Sequence, residues 1–160
     1  TLIELARIYP ALRATGIDRS DAAIASAREA ASRAGVGDRV TFIYGDEGSL
    51  DAFDVVLSLE MLHESPDPNA VARGVHGALR DGGTWLLIEP CGRSDAGNDT
   101  RLLASLAALY CLPASGFSPH ALGPLASRDD YERVIRGGGF EKIAIEDEGA
   151  IHVIIEAQRG

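Results

Sequence analysis

The stretch Ala14–Ala31, ATGIDRSDAAIASAREAA, decides how the chain is read. It has strand character over Ala14–Asp18, reaches an acid at Asp18, and passes directly into an alanine-rich helix. Ser20 or Asp21 can accept hydrogen bonds from the first-turn N–H groups of that helix. The helix is predicted from about Asp21 to Ala34 and stops at Gly35, which suits a left-handed C-terminal position. A strand that ends in an acid and feeds a helix is a building unit of open α/β sheets.

Working outward, the same rhythm continues. Upstream, Leu2, Leu5 and Ile8, with Leu12 beyond, have helical spacing that closes at Pro10. Downstream, RVTFIY (Arg39 to Tyr44) is β-branched and aromatic, hence strand. Gly45-Asp46-Glu47-Gly48 is a turn, and FDVVLSL (Phe53 to Leu59) is the near-continuous apolar run expected of a parallel strand buried on both faces. A helix follows from Pro68 to Leu79, stopped by Asp81-Gly82-Gly83, then a second buried strand at Thr84 to Ile88. Beyond Pro90 the pattern changes. CGRSDAGNDT reads as loop, Arg101 to Tyr110 as an apolar helix, and CLPASGFSPHALGPLAS as a Pro/Gly/Ser-rich segment. The chain closes with a helix from Arg128 to Arg136 and two strands, Phe140 to Glu146 and Ile151 to Ala157. These are joined through Gly149 and predicted antiparallel. The expected fold class is α/β, a doubly wound sheet, mostly parallel, with helices on both faces and an antiparallel last strand.

At 160 residues the chain amounts to one domain, able to bury roughly two thirds of its unfolded surface. Apolar runs are interrupted well before the roughly 18 residues of a membrane span, and no secretory signal pattern opens the chain. Net charge is −9, with acids spread along the chain and Lys142 as the only lysine, so a phosphate backbone would meet repulsion. Cys91 and Cys111 fit no metal spacing and read as a reduced pair, which makes the cytoplasm the expected location. Nucleic acid, membrane and resident metal are therefore not expected partners.

In open parallel sheets ligands bind beyond the carboxyl ends of the strands. Four such ends carry acids: Asp18, Asp46, the Glu60 to Glu64 stretch, and Glu89. A carboxylate such as Asp18 offers two oxygens that can accept from both hydroxyls of a ribose. Asp46 can accept from an adenine amino group.

Together, these two acids, FDVVLSLEMLHESPDP and LRDGGTWLLIEP resemble class I S-adenosylmethionine-dependent methyltransferases, a Rossmann-like family, across essentially the whole chain. The resemblance implies S-adenosylmethionine as cofactor. Asp18 would hold its ribose, Arg19 would lie near the adenine, Asp46 with Glu47 would bracket the adenine edge, and Leu59, Glu60 and Met61 would border the methionyl part. HESPDP, GTWLLIEP and ALYCLPAS look more narrowly like actinobacterial members that carry an N-terminal winged-helix domain. One departure stands out. The family's first strand and its glycine-rich loop have no counterpart in the sequence, which starts in the helix that should follow them. The expectation is a chain retained from something longer, with weakened cofactor binding as it stands.

The implied reaction is methyl transfer to a small-molecule O-, N- or C-nucleophile, largely a matter of positioning, with a base needed for an unactivated acceptor. His63, just beyond the fourth strand of the implied sheet, and His120, in SGFSPHALGP, are the candidate bases, and Glu89 can contact substrate or orient a base. His76 and His152 read as structural. Residues 91–127 form the expected substrate-specificity or lid insertion, where Tyr110, Cys111 and Phe117 lie; LLASLAALY suits core, a pocket wall or a homodimer surface. Two rival readings remain. One is a non-catalytic module on the same fold, for binding or dimerisation. The other is a nicotinamide-dependent oxidoreductase, disfavoured because Lys142 has no tyrosine four residues before it.

Overall fold

A computed structural model describes residues 1–45, 53–92, 102, 104–105, 107–116, 118–148 and 151–160. The chain divides into two compact units, Thr1–Ser49 and Leu50–Gly160.

The first unit holds α1 (Leu2–Ile8), β1 (Ala14–Asp18), α2 (Asp21–Arg33) and β2 (Val40–Tyr44). Strands β1 and β2 run parallel, in register from Ala14 opposite Val40 to Asp18 opposite Tyr44. α2 is the crossover, as the Ser20 start signal and the Gly35 stop predict. The Ser20 hydroxyl accepts from the Ala23 N–H at 3.2 Å, and Gly35 adopts φ +68°. The core consists of Ala6, Ala31, Val36 and Val40, with Leu2, Ile3, Leu12, Ala14 and Phe42 packed against it. α1 therefore turns its Leu2–Ile3–Ala6 face inward and leaves Ile8 exposed, a one-residue rotation from the Leu2, Leu5, Ile8 expectation. The small side chain of Ala6 is the one that is completely buried. Gly16 serves β2: a Cβ there would lie 2.6 Å from the Phe42 ring. The Arg28 guanidinium donates to the Phe42 carbonyl at 2.6 Å, tying α2 to β2.

The second unit contains β3 (Phe53–Leu59), α3 (Pro68–Ala78), β4 (Leu79–Pro90), α4 (Arg128–Gly137), β5 (Lys142–Glu148) and β6 (His152–Gln158). Between β4 and α4, a π-helical turn at Ala107–Cys111 runs into a single helical turn at Leu112–Ala114, where the sequence predicts a regular helix ending at Tyr110. The sheet order is β3-β4-β6-β5, with β3 and β4 parallel and β6 antiparallel to both its neighbours. This is the expected closing pair, with the last strand inserted beside β4. β4 starts earlier than predicted. The Asp81-Gly82-Gly83 turn is absorbed into the strand as an irregularity, with the register shifting between Phe53 and Val55 and Gly82 at φ +77°.

Trp85, Leu87 and Glu89 on β4 alternate onto one fully buried face with Val153, Ile155 and Ala157 of β6. α3 contributes Val71, Ala72 and Val75, and α4 contributes Tyr131, Val134 and Ile135. Burial on both faces, expected for β3, is not what this unit shows. Val55 is 58% exposed and Leu59 42%, because among the described residues β3 pairs only with β4. His76 makes a T-shaped ring contact with Phe140, with centroids 5.0 Å apart.

α4 begins with a capping box in which Ser127 and Asp130 satisfy each other's backbone N–H groups. Hydrogen bonds from the Ser127 hydroxyl and backbone, with Arg133 adding its charge, hold the Asp130 carboxyl below the usual carboxylate range. A carboxyl lowered on folding contributes stability that is complete above its unfolded value, about 3.9, and lost as pH falls through the folded value. Asp130→Asn should therefore flatten the fall in urea midpoint between about pH 5 and pH 3. At the other end of α4, a Cβ on Gly138 would lie 2.6 Å from the Ala72 Cβ on α3. Gly138→Ala should cost about 1–3 kcal/mol by overpacking, read as a lower denaturant midpoint with an unchanged m-value.

Candidate active site

Alternation along β4 brings an acid into register with Trp85 and Leu87, so Glu89 enters the core with no exposed surface at all. Such a group must find partners or cost several kcal/mol. It finds four. Oε1 accepts from the Met61 N–H at 3.0 Å and the Leu62 N–H at 2.8 Å. Oε2 accepts from the His63 N–H at 3.3 Å and bonds the His63 ring at Nδ1, 2.7 Å away. One carboxyl group thus organises the whole turn that leaves β3.

That turn begins under strain. Glu60 adopts φ +51°, the one non-glycine residue with positive φ among the described residues. Its N–H reaches the Ile88 carbonyl at 2.8 Å and its carboxylate meets His152 Nε2 at 2.7 Å. A non-glycine residue held in this region persists only where its surroundings over-determine it, and such positions cluster at functional sites. Here the restraint comes from β4 and β6 together.

Glu89 engages Nδ1, which leaves Nε2 as the ring nitrogen that faces the other groups. Nε2 lies 3.5 Å from Cys111 Sγ and 3.6 Å from Glu64 Oε1. Burial first, and then a hydrogen bond to Glu64, push the Cys111 thiol up to about 11. Behind Glu89, the buried Tyr131 hydroxyl donates to the Pro90 carbonyl at 2.6 Å, and burial raises its pKa far above the ordinary phenol value.

The segment that carries His120 is fastened to the same loop. The Gly123 N–H donates to the His63 carbonyl at 2.9 Å, the Ser118 hydroxyl to the Pro66 carbonyl at 2.6 Å, and the Gly92 N–H to the Ala126 carbonyl at 3.0 Å. Gly92 permits this closeness, since any Cβ there would collide with the Leu125 backbone. His120 itself is exposed, as is Tyr110.

In the first unit, Asp18 ends β1 with its side chain exposed. Oδ1 accepts from the Ser20 N–H at 2.8 Å, which leaves Oδ2 available to a ligand. Asp18 sits at one end of a groove of about 380 Å³ lined by Leu2, Ile3, Ile17, Ile24 and Ala27 among others. Arg19 is exposed beside it. Asp46, Glu47 and Phe117 lie outside the described residues. Of the cofactor residues predicted in the second unit, Leu59 is partly exposed, Met61 is tied through its N–H to Glu89, and Glu60 is held by His152.

Sequence reasoning singled out Glu89, His63 and Cys111 separately. It gave Glu89 as able to orient a base without pairing it with His63, placed Glu64 only within the strand-end Glu60 to Glu64 stretch, and gave Tyr131 no role. The readable signal was the alternation Trp85, Leu87, Glu89: an acid in step with two core residues demands buried partners.

The chain belongs to the methyltransferase domain family, whose profile matches residues 1–122. It is 34% identical over 139 residues to 27-O-demethylrifamycin SV methyltransferase of Amycolatopsis mediterranei, a match covering 83% of this chain and 47% of that enzyme. Among solved structures, an O-methyltransferase-like protein of Nostoc punctiforme superposes with a TM-score of 0.78 at 21% identity, covering 98% of this chain and 47% of the other. The S-adenosylmethionine-dependent methyltransferase SibL does so at 0.72 and 25% identity, covering 99% and 46%. The chain thus spans about half the length of the relatives it matches.

Replacing Glu89 by alanine would strand three N–H groups in the interior, at about 1–3 kcal/mol each. Glu89→Ala should lower unfolding free energy by several kcal/mol, and Glu89→Gln, which keeps an acceptor oxygen, by less. Equal denaturation midpoints for Glu89→Ala and the wild type would dismiss Glu89 as the organiser of this turn.

Proposed function

We propose that this chain is the core of an S-adenosylmethionine-dependent methyltransferase acting on a small-molecule acceptor. The observation that carries the reading is the family match over residues 1–122, joined to an acid with one uncommitted oxygen at the end of β1. When bound, S-adenosylmethionine supplies an electrophilic methyl group. The chain's own residues bind, orient and manage protons. Asp18 Oδ2 accepts from the ribose, and the apolar groove beside it, within the usual 300–1,000 Å³ range of ligand pockets, receives the rest of the nucleoside. The family resemblance would assign Arg19, Asp46 and Glu47 to the adenine, and Leu59, Glu60 and Met61 to the methionyl part.

For the acceptor, His120 is the group with the exposure to take a proton. His63 and Glu89 are a positioning pair, because Glu89 already receives four hydrogen bonds and His63 is 4% exposed. Residues 91–127 set the specificity. The exposed Leu109, Tyr110 and Leu125 suit an apolar or aromatic acceptor, or a second copy of the chain. Neither Cys91 nor Cys111 forms a disulfide, which suits a reducing compartment such as the cytoplasm. Among the described residues no helix is long and apolar enough to cross a membrane.

Calorimetry with S-adenosylhomocysteine on the full-length polypeptide tests this. Asp18→Ala removes charge-assisted hydrogen bonds worth about 3 kcal/mol together, so Kd should rise roughly 100-fold. Unchanged affinity in that variant would remove Asp18 from the cofactor site. Tight binding without any methyl transfer would favour the non-catalytic module instead.

A further inference from the structure

We propose that His63 Nε2, Glu64 and Cys111 Sγ form a binding site for a divalent cation of the zinc class. The three ligand atoms all lie within 4.8 Å of one another. A tetrahedral zinc ion bonds nitrogen and oxygen at about 2.0–2.2 Å and sulfur at about 2.3 Å, which separates neighbouring ligand atoms by roughly 3.3–3.6 Å. The observed separations from Nε2 are 3.5 Å to Cys111 Sγ and 3.6 Å to Glu64 Oε1.

The surroundings favour a cation over a set of hydrogen bonds. Glu89 engages His63 at Nδ1, so Nε2 is the ring nitrogen turned toward Glu64 and Cys111. A thiol proton can bridge one pair of the three atoms, not all of them. A dication resolves the convergence, and its charge balances one thiolate and one carboxylate beside a neutral imidazole. The carboxylate–histidine contact from Glu89 is also the arrangement that orients histidine ligands on metals. Sulfur and imidazole donors select zinc-like ions over magnesium or calcium. Glu64, with its side chain 34% exposed, forms the approach, whereas Cys111 and His63 are buried. Three protein ligands leave the fourth position open to water or to an acceptor oxygen.

The proposal shares His63 and Cys111 with the methyltransferase reading but uses neither Asp18 nor the cofactor, so cation binding and cofactor binding fail independently. The test is titration of chelator-treated, full-length polypeptide with Co²⁺, followed by its absorption spectrum. One equivalent should produce a thiolate-to-cobalt band in the near ultraviolet together with visible bands of tetrahedral intensity, both lost on adding Zn²⁺ and unchanged by Mg²⁺. Cys111→Ser should abolish the near-ultraviolet band, and Glu64→Gln should weaken Co²⁺ binding at least tenfold. Cys91→Ser should leave the spectrum intact. Circular dichroism of each variant shows whether it is folded; should Cys111→Ser not fold, alkylation of Cys111 in the wild type, blocked by prior Zn²⁺, replaces it. Absence of the band in folded wild-type protein overturns the proposal, as does its persistence in folded Cys111→Ser or alkylation unaffected by Zn²⁺.

Discussion

A single buried carboxyl group organises the turn that leaves β3 in the second unit. Glu89 has no solvent to satisfy it, so its oxygens collect the N–H groups of Met61, Leu62 and His63 and the imidazole of His63. In a low-dielectric interior such hydrogen bonds are strong when complete and expensive when broken. The turn after β3 consequently has one stable shape, and the strained backbone of Glu60 is one of its costs. His63 is held by both its N–H and its ring, and the Gly123–His63 bond carries that order into the segment around His120.

The first unit reaches a comparable end by different means. Its core is built from alanines and valines, with Phe42 lying across Gly16 and Arg28 holding the Phe42 carbonyl. The polar work is concentrated in Asp18, which spends one oxygen on the start of α2 and keeps the other uncommitted. Asp18 is exposed whereas Glu89 is sealed, and that difference separates a residue suited to grip a ligand from one suited to hold a loop.

Fold likeness alone does not define chemistry, because one fold hosts many activities. In the second unit, the turn after β3 is tied both to Glu89 and to the segment around His120. Two glycines of this unit allow close approach, Gly92 against Leu125 and Gly138, at the end of α4, against Ala72. Both positions exchange side-chain volume for backbone contact.

By itself, the sequence determined the main run of strands and helices, the Ser20 and Gly35 boundaries of α2 and the antiparallel closing pair. Each of these follows from local causes: side-chain period, capping chemistry and turn residues. The tertiary structure alone decided that α1 turns on Ala6, that β3 leaves Val55 and Leu59 in the open, and that Glu64 and Cys111, 47 positions apart, converge on one imidazole nitrogen. No local rule couples residues at such a distance. Their meeting depends on where the chain returns after β4, and that path follows from packing over the whole unit.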